Sequence, residues 1–158
     1  MNACAIPQNR RQRYRKTQRG AAAIEFALIF IVFFTLFYAI VSYAIVMMLQ
    51  SAFMHAAEEG ARAAIAVDRL SYSSSSAYFT DGVEPRVRST VDAALNWLPA
   101  GSKSKVSVEV EMPASMLSVR VMYEGYTSDP LIPILTLPAI GQVPKLPDDL
   151  VGAAMINL

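Results

Sequence analysis

The chain has 158 residues, 54% of them hydrophobic, and a formal net charge of +1. This length suits one small domain with an appendage, and the composition is too apolar for a disordered chain. The single cysteine, Cys4, excludes an intrachain disulfide. The single histidine, His55, leaves no residues for a zinc cluster or a Cys/His nucleophile pair.

The charge is distributed unevenly along the chain. Residues 1–20 hold six of the fourteen basic residues and none of the thirteen acidic ones. The remainder holds the other eight basic residues and all thirteen acidic ones, so a basic arm precedes an acidic chain. Such a division indicates a boundary at an electrically asymmetric surface.

Residues 26–54 form a long run without Asp, Glu, Lys, Arg, Gly or Pro. About 20 apolar residues span a bilayer as a helix, whereas a signal peptide has a shorter apolar stretch. The run therefore predicts a transmembrane helix, with its span at about residues 26–50. Because positive charge near a span stays on the cytoplasmic side, the N-terminus is expected inside and the residues after about 55 outside.

The helical pattern continues beyond this run. Residues 51–68 are rich in alanine, with Glu58 and Arg62 spaced to pair across one turn. We expect one helix over about residues 21–67. Small residues recur at every fourth position along it, at Ala52, Ala56, Gly60 and Ala64. This face lets another backbone approach closely, either in the same domain or in another subunit.

Residues 68–158 are expected to form an external α+β domain. Four consecutive serines predict a loop over residues 71–82, and a second helix is predicted over 84–98. Thr80 or Asp81 is the expected N-cap of that helix, and Trp97 an expected packing residue. Its apolar stripe comprises Val83, Val87, Val91, Ala94, Leu95 and Leu98.

The pattern then changes to the period of a β-strand. Residues 106–112 and 117–123 alternate between apolar and polar side chains, which predicts an antiparallel hairpin. Arg120 is expected on the solvated face with Glu109 or Glu111. Residues 130–147 contain five prolines, so this apolar segment is expected to be extended, packing over the domain or facing a partner or membrane. Residues 150–158 fit a final strand.

Two motifs at the ends of the long helix resemble a known family. The stretch RGAAAIEFALI joins the basic arm to the apolar run, and AAEEGARAAI follows the run. Together they resemble the TadE-like pseudopilins, or minor pilins, of the tight-adherence (Tad/Flp) pilus system. The second motif includes Glu59, Gly60, Ala61 and Arg62. Phe26 stands where major Flp pilins usually have tyrosine, which favours the minor class.

The resemblance implies a processing site and a mechanism. Pilin-like precursors are cut after glycine by a prepilin peptidase, here between Gly20 and Ala21, so residues 1–20 would be a leader. Glu25 would then be the fifth residue of the mature protein, acting in processing and in pairing with the terminal amine of a neighbouring subunit. The implied partners are the bilayer, the peptidase, other Tad pilins and the assembly platform. The implied location is the bacterial inner membrane, with a periplasmic C-terminal domain that can enter an extracellular pilus.

Phenylalanines line one stripe of the apolar helix, at Phe26, Phe30, Phe33 and Phe37. Lipid contact and packing against neighbouring helices in a filament both fit this stripe. An unprocessed single-span protein with a ligand-binding external domain is the alternative function.

We expect no enzyme activity, cofactor, metal, nucleic acid or small-molecule substrate. The carboxylate pairs Glu109/Glu111 and Asp148/Asp149 have no neighbouring His, Lys or glycine-rich loop in the sequence to complete a catalytic site. Membrane topology and processing account for the basic arm without nucleic-acid binding.

Overall fold

The computed structural model describes residues 19–137 and 141–158. The expected leader, with Cys4, therefore lies outside the described residues except for Arg19 and Gly20. The chain divides into two units, one ending at Phe37 and the other running from Tyr38 to Leu158. Together they form an α+β protein with one candidate membrane span near the N-terminus.

Helix α1 is the longest element and runs over Arg19–Ile65. Its apolar part contains no glycine or proline and is dominated by residues that are compatible with a helix. The side chains of residues 20–34 are all exposed, and the most apolar part of the helix has a mean hydropathy of 2.6. By length and composition, α1 can cross a membrane.

From residue 42 onward, α1 also supplies one wall of a hydrophobic core. Its buried positions are three or four residues apart, as on one face of a helix. They are Ser42, Val46, Leu49, Phe53, Ala56, Ala57, Gly60, Ala61 and Ala64. Nearly half of the charge-free run, from Ser42 to Met54, therefore packs within its own domain along one face.

A helical stretch replaces most of the loop expected over residues 71–82. Following the short turn Arg69–Ser71, α2 occupies Ser75–Ala77, a π-helical turn covers Tyr78–Val83, and α3 covers Glu84–Ala94. The loop prediction is wrong because the serine tract starts a helix. The Ala77 amide donates to the Ser74 hydroxyl at 3.1 Å, so Ser74 is the cap, not Thr80 or Asp81.

The end of the second helix also differs from the prediction. Helix α3 ends at Ala94, and a separate turn, α4, follows at Ala100–Lys103. Leu95 and Leu98 are buried as the stripe predicts, but Trp97 is 53% exposed. The expectation of Trp97 as a packing residue is wrong because it lies beyond α3, where the helical spacing no longer holds.

The strands form two antiparallel sheets. Their bounds are β1 Val106–Glu111, β2 Met116–Tyr123, β3 Leu135–Leu137, β4 Gly141–Val143 and β5 Leu150–Asn157. The larger sheet has the order β1-β2-β5, and β3 pairs with β4 as a separate ribbon. The predicted hairpin is confirmed: Glu109 lies opposite Arg120, with an N–O distance of 3.8 Å. The final strand is confirmed as β5.

Candidate functional site

The expected processing site lies at the exposed beginning of α1. Gly20 and Ala21 are both helical and exposed. A Cβ atom placed on Gly20 would meet nothing within 4 Å. The described fold therefore makes no demand for glycine at this position, and a larger side chain fits there without displacing neighbours.

Glu25 is the single charged residue between Gly20 and His55. Its side chain is exposed and makes no ion pair or hydrogen bond with the described part of the chain. Helix α1 is already formed at Arg19, so Glu25 lies beyond the first turn of the helix. The helix dipole has little effect at that distance from the helix end. Stabilisation by the helix N-terminus therefore does not account for this carboxylate, which needs a partner or water in an apolar environment.

The predicted phenylalanine stripe consists of stacked rings on the exposed surface of α1. Phe26 stacks on Phe30, with ring centroids 6.0 Å apart, and Phe30 stacks on Phe34 at 5.9 Å. Phe33 and Phe37 form a second row at 6.2 Å. All five rings are between 49% and 68% exposed, so they present an aromatic surface to the surroundings of the helix.

On the small face of α1, Gly60 packs against α3 of the same chain, and the alanines are covered to different degrees. A Cβ atom on Gly60 would lie 2.8 Å from Val91 Cγ2 and 3.1 Å from Val87 Cγ1. Ala56 and Ala64 are fully buried, and Ala52 is half-buried. The sequence left open whether this face contacts its own domain or another subunit. In the structure these residues contact their own domain.

The motif around Gly60 divides between core and surface. Gly60 and Ala61 are buried, Glu59 is half-buried, and Glu58 and Arg62 are exposed. The expected pairing of Glu58 with Arg62 is wrong, since no ion pair joins them in the described structure. An ion pair between exposed side chains one turn apart contributes little free energy, because holding both side chains in one geometry costs entropy. Spacing alone therefore does not ensure that the two side chains meet.

The carboxylate pair Asp148/Asp149, directly before β5, holds the turn that follows β2. The Gly125 amide donates to Asp149 Oδ1 at 2.9 Å, and the Thr127 hydroxyl donates to Asp148 Oδ1 at 3.0 Å. The Tyr126 amide donates to the Asp148 carbonyl at 2.7 Å. Both carboxylates therefore have structural hydrogen bonds. Among the described residues, no three His, Cys, Asp or Glu side chains are grouped as metal ligands.

A groove of about 410 Å³ lies between α3 and β1. Its cationic side chains are engaged within the chain. Arg88 contacts Glu84 at 2.9 Å and donates to the Val108 carbonyl at 2.8 Å, and Lys103 contacts Asp92 at 2.7 Å. The groove therefore offers a ligand no unpaired cation from these two residues.

Three tyrosines acquire roles that the sequence pattern did not reveal. The Tyr38 hydroxyl donates to the Pro133 carbonyl, and the Lys145 amide donates to the Tyr43 hydroxyl at 3.1 Å. Both bonds join α1 to the proline-rich segment. Tyrosine within a charge-free run was the available signal, because a phenol at such a position needs a polar partner.

The third tyrosine, Tyr126, has a fully buried phenol. Burial raises the pKa of Tyr126 above its usual value, while a backbone interaction with Leu131 lowers the pKa in part and Tyr123 raises it. The ring packs edge-on against Tyr123, with centroids 5.3 Å apart. The hydroxyl makes no well-formed hydrogen bond to the described residues.

The described residues therefore form a long apolar N-terminal helix, with an exposed acidic residue near its start, joined to a small α+β domain; this class of protein has one candidate membrane span in the described part of the chain. The family model described as TadE-like protein matches residues 20–62 of the chain. This match confirms the resemblance and supports a TadE-like protein of the Tad pilus system, a structural and non-enzymatic family. No curated protein and no solved structure matches the chain.

Proposed function

We propose that this chain is a minor pilin or pseudopilin that is inserted in the inner membrane, processed after Gly20 and used to assemble a Tad pilus for adhesion or secretion. One observation carries the proposal: the TadE-like match begins at residue 20 and ends at residue 62. It thus includes the proposed cleavage site, Glu25 and the helix motif around Gly60. The basic arm before the match suits retention on the cytoplasmic side, where the peptidase acts, and this supports a periplasmic location for the C-terminal domain.

The proposed mechanism depends on the two exposed features of α1. Cleavage between Gly20 and Ala21 would create an ammonium group close in sequence to Glu25. On a neighbouring subunit, that ammonium can neutralise the carboxylate, which has no partner in its own described chain. The stacked phenylalanines would then lie between helices of adjacent subunits or against lipid until assembly.

Mass spectrometry of the membrane-purified protein, with and without the prepilin peptidase, tests this function. We expect a chain beginning at Ala21 only when the peptidase is present. Gly20→Leu should abolish cleavage while leaving the fold intact, because a side chain at residue 20 meets open space.

Gly101→Leu is the matched control, since a Cβ atom at Gly101 also meets nothing within 4 Å. This variant should be cleaved normally. An intact leader in the peptidase-positive strain, or normal cleavage of Gly20→Leu, would contradict the proposed processing and favour an unprocessed single-span protein.

A further inference from the structure

The proline-rich segment is attached to α1 within the charge-free run of that helix. Tyr38 bonds to Pro133 near one end of the segment, and Tyr43 bonds to Lys145 near the other. These two hydrogen bonds hold both ends of the segment against consecutive turns of α1. Wherever that part of the helix lies, the segment lies beside it.

A membrane span of minimum length that starts at Phe26 would end close to Tyr43, before the expected limit of the span at about residue 50. A hydrocarbon core needs about 20 helical residues, and twenty residues counted from Phe26 end at Ile45. Tyr43 is therefore within the last turn of such a span, and Tyr38 is about two turns from its end. Tyrosine is enriched at this depth because its ring is apolar and its hydroxyl is polar.

The segment itself has the composition of a membrane-interface element. Residues 130–144 contain no charged side chain, and the next residue is Lys145. In the β3–β4 ribbon, Leu135 lies opposite Val143, and Thr136 lies opposite Gln142. Residues opposite each other share a face, so the ribbon has an apolar face and a polar face. Leu135 is 37% exposed, which leaves part of the apolar face uncovered by the chain.

We propose that the β3–β4 ribbon is a second membrane-contacting element, whose Leu135/Val143 face enters the interfacial region of the outer leaflet beside α1. Insertion is limited to the interface, because a two-stranded ribbon has unpaired backbone groups at its edges that hydrocarbon cannot satisfy. Lys145, at the base of the segment, can reach lipid phosphates. The inference rests on the proposed insertion of α1 in the bilayer.

A lipid surface fits this face better than a second protein copy does. The segment is hydrogen-bonded to Tyr38 and Tyr43 of α1, so it lies next to lipid as soon as α1 is inserted in the bilayer. An uncharged surface at this depth gains from apolar burial without the charge complementarity that usually orients protein partners.

Site-specific labelling of the full chain tests the proposal. In a Cys4→Ser background, single cysteines replace Leu135, Thr136, Leu70 and Ile31, and each carries an environment-sensitive fluorophore. The protein is reconstituted in phosphatidylcholine and phosphatidylglycerol vesicles containing spin-labelled lipid. We expect quenching by the lipid label to be at least about threefold greater at Leu135 than at its neighbour Thr136. Leu70, which is 94% exposed and distant in sequence, should be accessible to an aqueous quencher.

The remaining outcomes separate this inference from the proposed function. Quenching at Ile31 but equal, weak lipid quenching at Leu135 and Thr136 would overturn the ribbon proposal alone. Absence of quenching at Ile31 would overturn membrane insertion and the ribbon proposal together. If the label at Leu135 is protected from the aqueous quencher, and this protection disappears when the protein is diluted into more lipid, a second copy of the chain is the occupant. Val143→Cys gives a second measurement on the same face if Leu135→Cys disturbs folding.

Discussion

Gly152 of β5 lies directly against the backbone of Phe53 in α1. A Cβ atom on Gly152 would be 2.4 Å from the Phe53 carbonyl carbon and 2.4 Å from the Met54 amide nitrogen. Real side chains do not approach backbone atoms so closely, so helix and sheet meet here without an intervening side chain. This contact fixes the separation of α1 from β5 in the external domain.

Gly152→Ala should therefore destabilise the domain. Unlike a flexible side chain, the backbone of α1 cannot move aside locally, and overpacking of this kind costs about 1–3 kcal/mol. The free energy of unfolding can be measured in detergent by chemical denaturation, followed by circular dichroism. Gly101→Ala, in open space, is the control and should change stability by less than about 0.5 kcal/mol. Equal stability of the two variants would contradict the close contact.

Gly60→Ala should destabilise the domain less when residue 91 is alanine than when it is valine. In the native chain, the new methyl group would meet Val91 Cγ2 at 2.8 Å, and the stiff valine has no room to yield. In a Val91→Ala background the closer of the two obstructing contacts is removed, while Val87 Cγ1 stays 3.1 Å from the new methyl group. The higher helix propensity of alanine over glycine, worth up to about 1 kcal/mol, opposes the cost of that remaining contact. We therefore expect clear destabilisation in the native background and a smaller effect in the Val91→Ala background. A double-mutant cycle measured by denaturation tests this coupling, and simple additivity would contradict it.

Tyr126→Phe should retain native stability at neutral pH and reduce the loss of stability at high pH. Because burial raises the pKa of Tyr126, its folded form stays neutral above pH 10 while the unfolded chain ionises. The stability of the native protein is therefore unaffected by this group below pH 10 and falls as the pH rises further. Unfolding curves from pH 8 to 11 should show a shallower decline for Tyr126→Phe. Parallel curves would show that the phenol ionises equally in both states.

Asp149→Ala should weaken the contact between the turn that follows β2 and the residues that precede β5. It removes the acceptor of the Gly125 amide, a loss worth about 1 kcal/mol for one hydrogen bond. Thermal unfolding followed by circular dichroism measures this loss. Glu111→Ala is the control, because Glu111 is exposed and has no partner among the described residues. A similar effect of both variants would argue against the role of the turn.

Glu25→Gln should impair association of processed subunits without changing stability. The carboxylate makes no contact in its own described chain, so its removal costs the fold nothing. Loss of a charged pair with a neighbouring amine would reduce association about tenfold. Copurification of two differently tagged copies after peptidase treatment measures this effect. Glu58→Gln, another exposed and unpaired glutamate on α1, should associate normally.

Local patterns were sufficient for the hairpin but not for the helical connection before it. Alternation along β1 and β2 placed Glu109 and Arg120 on one face because the two-residue period of a strand is fixed by its backbone. The serine tract does not distinguish a loop from a helix start, because a serine such as Ser74 can serve equally well in a loop and as a helix N-cap. Burial of Tyr78 and Val83 favours the helix, and that depends on residues far away in the chain.

The sequence by itself determined the long apolar helix, the position of the acidic residue within it and the match of residues 20–62 to the TadE-like family model, because these depend on composition and short-range spacing. Only the tertiary structure decided which partner each face of α1 meets. Gly60 contacts α3 and Gly152 contacts the helix backbone, whereas Tyr38 and Tyr43 bind the proline-rich segment. These contacts join residues that are distant in sequence, and periodicity identifies a face without identifying what covers it.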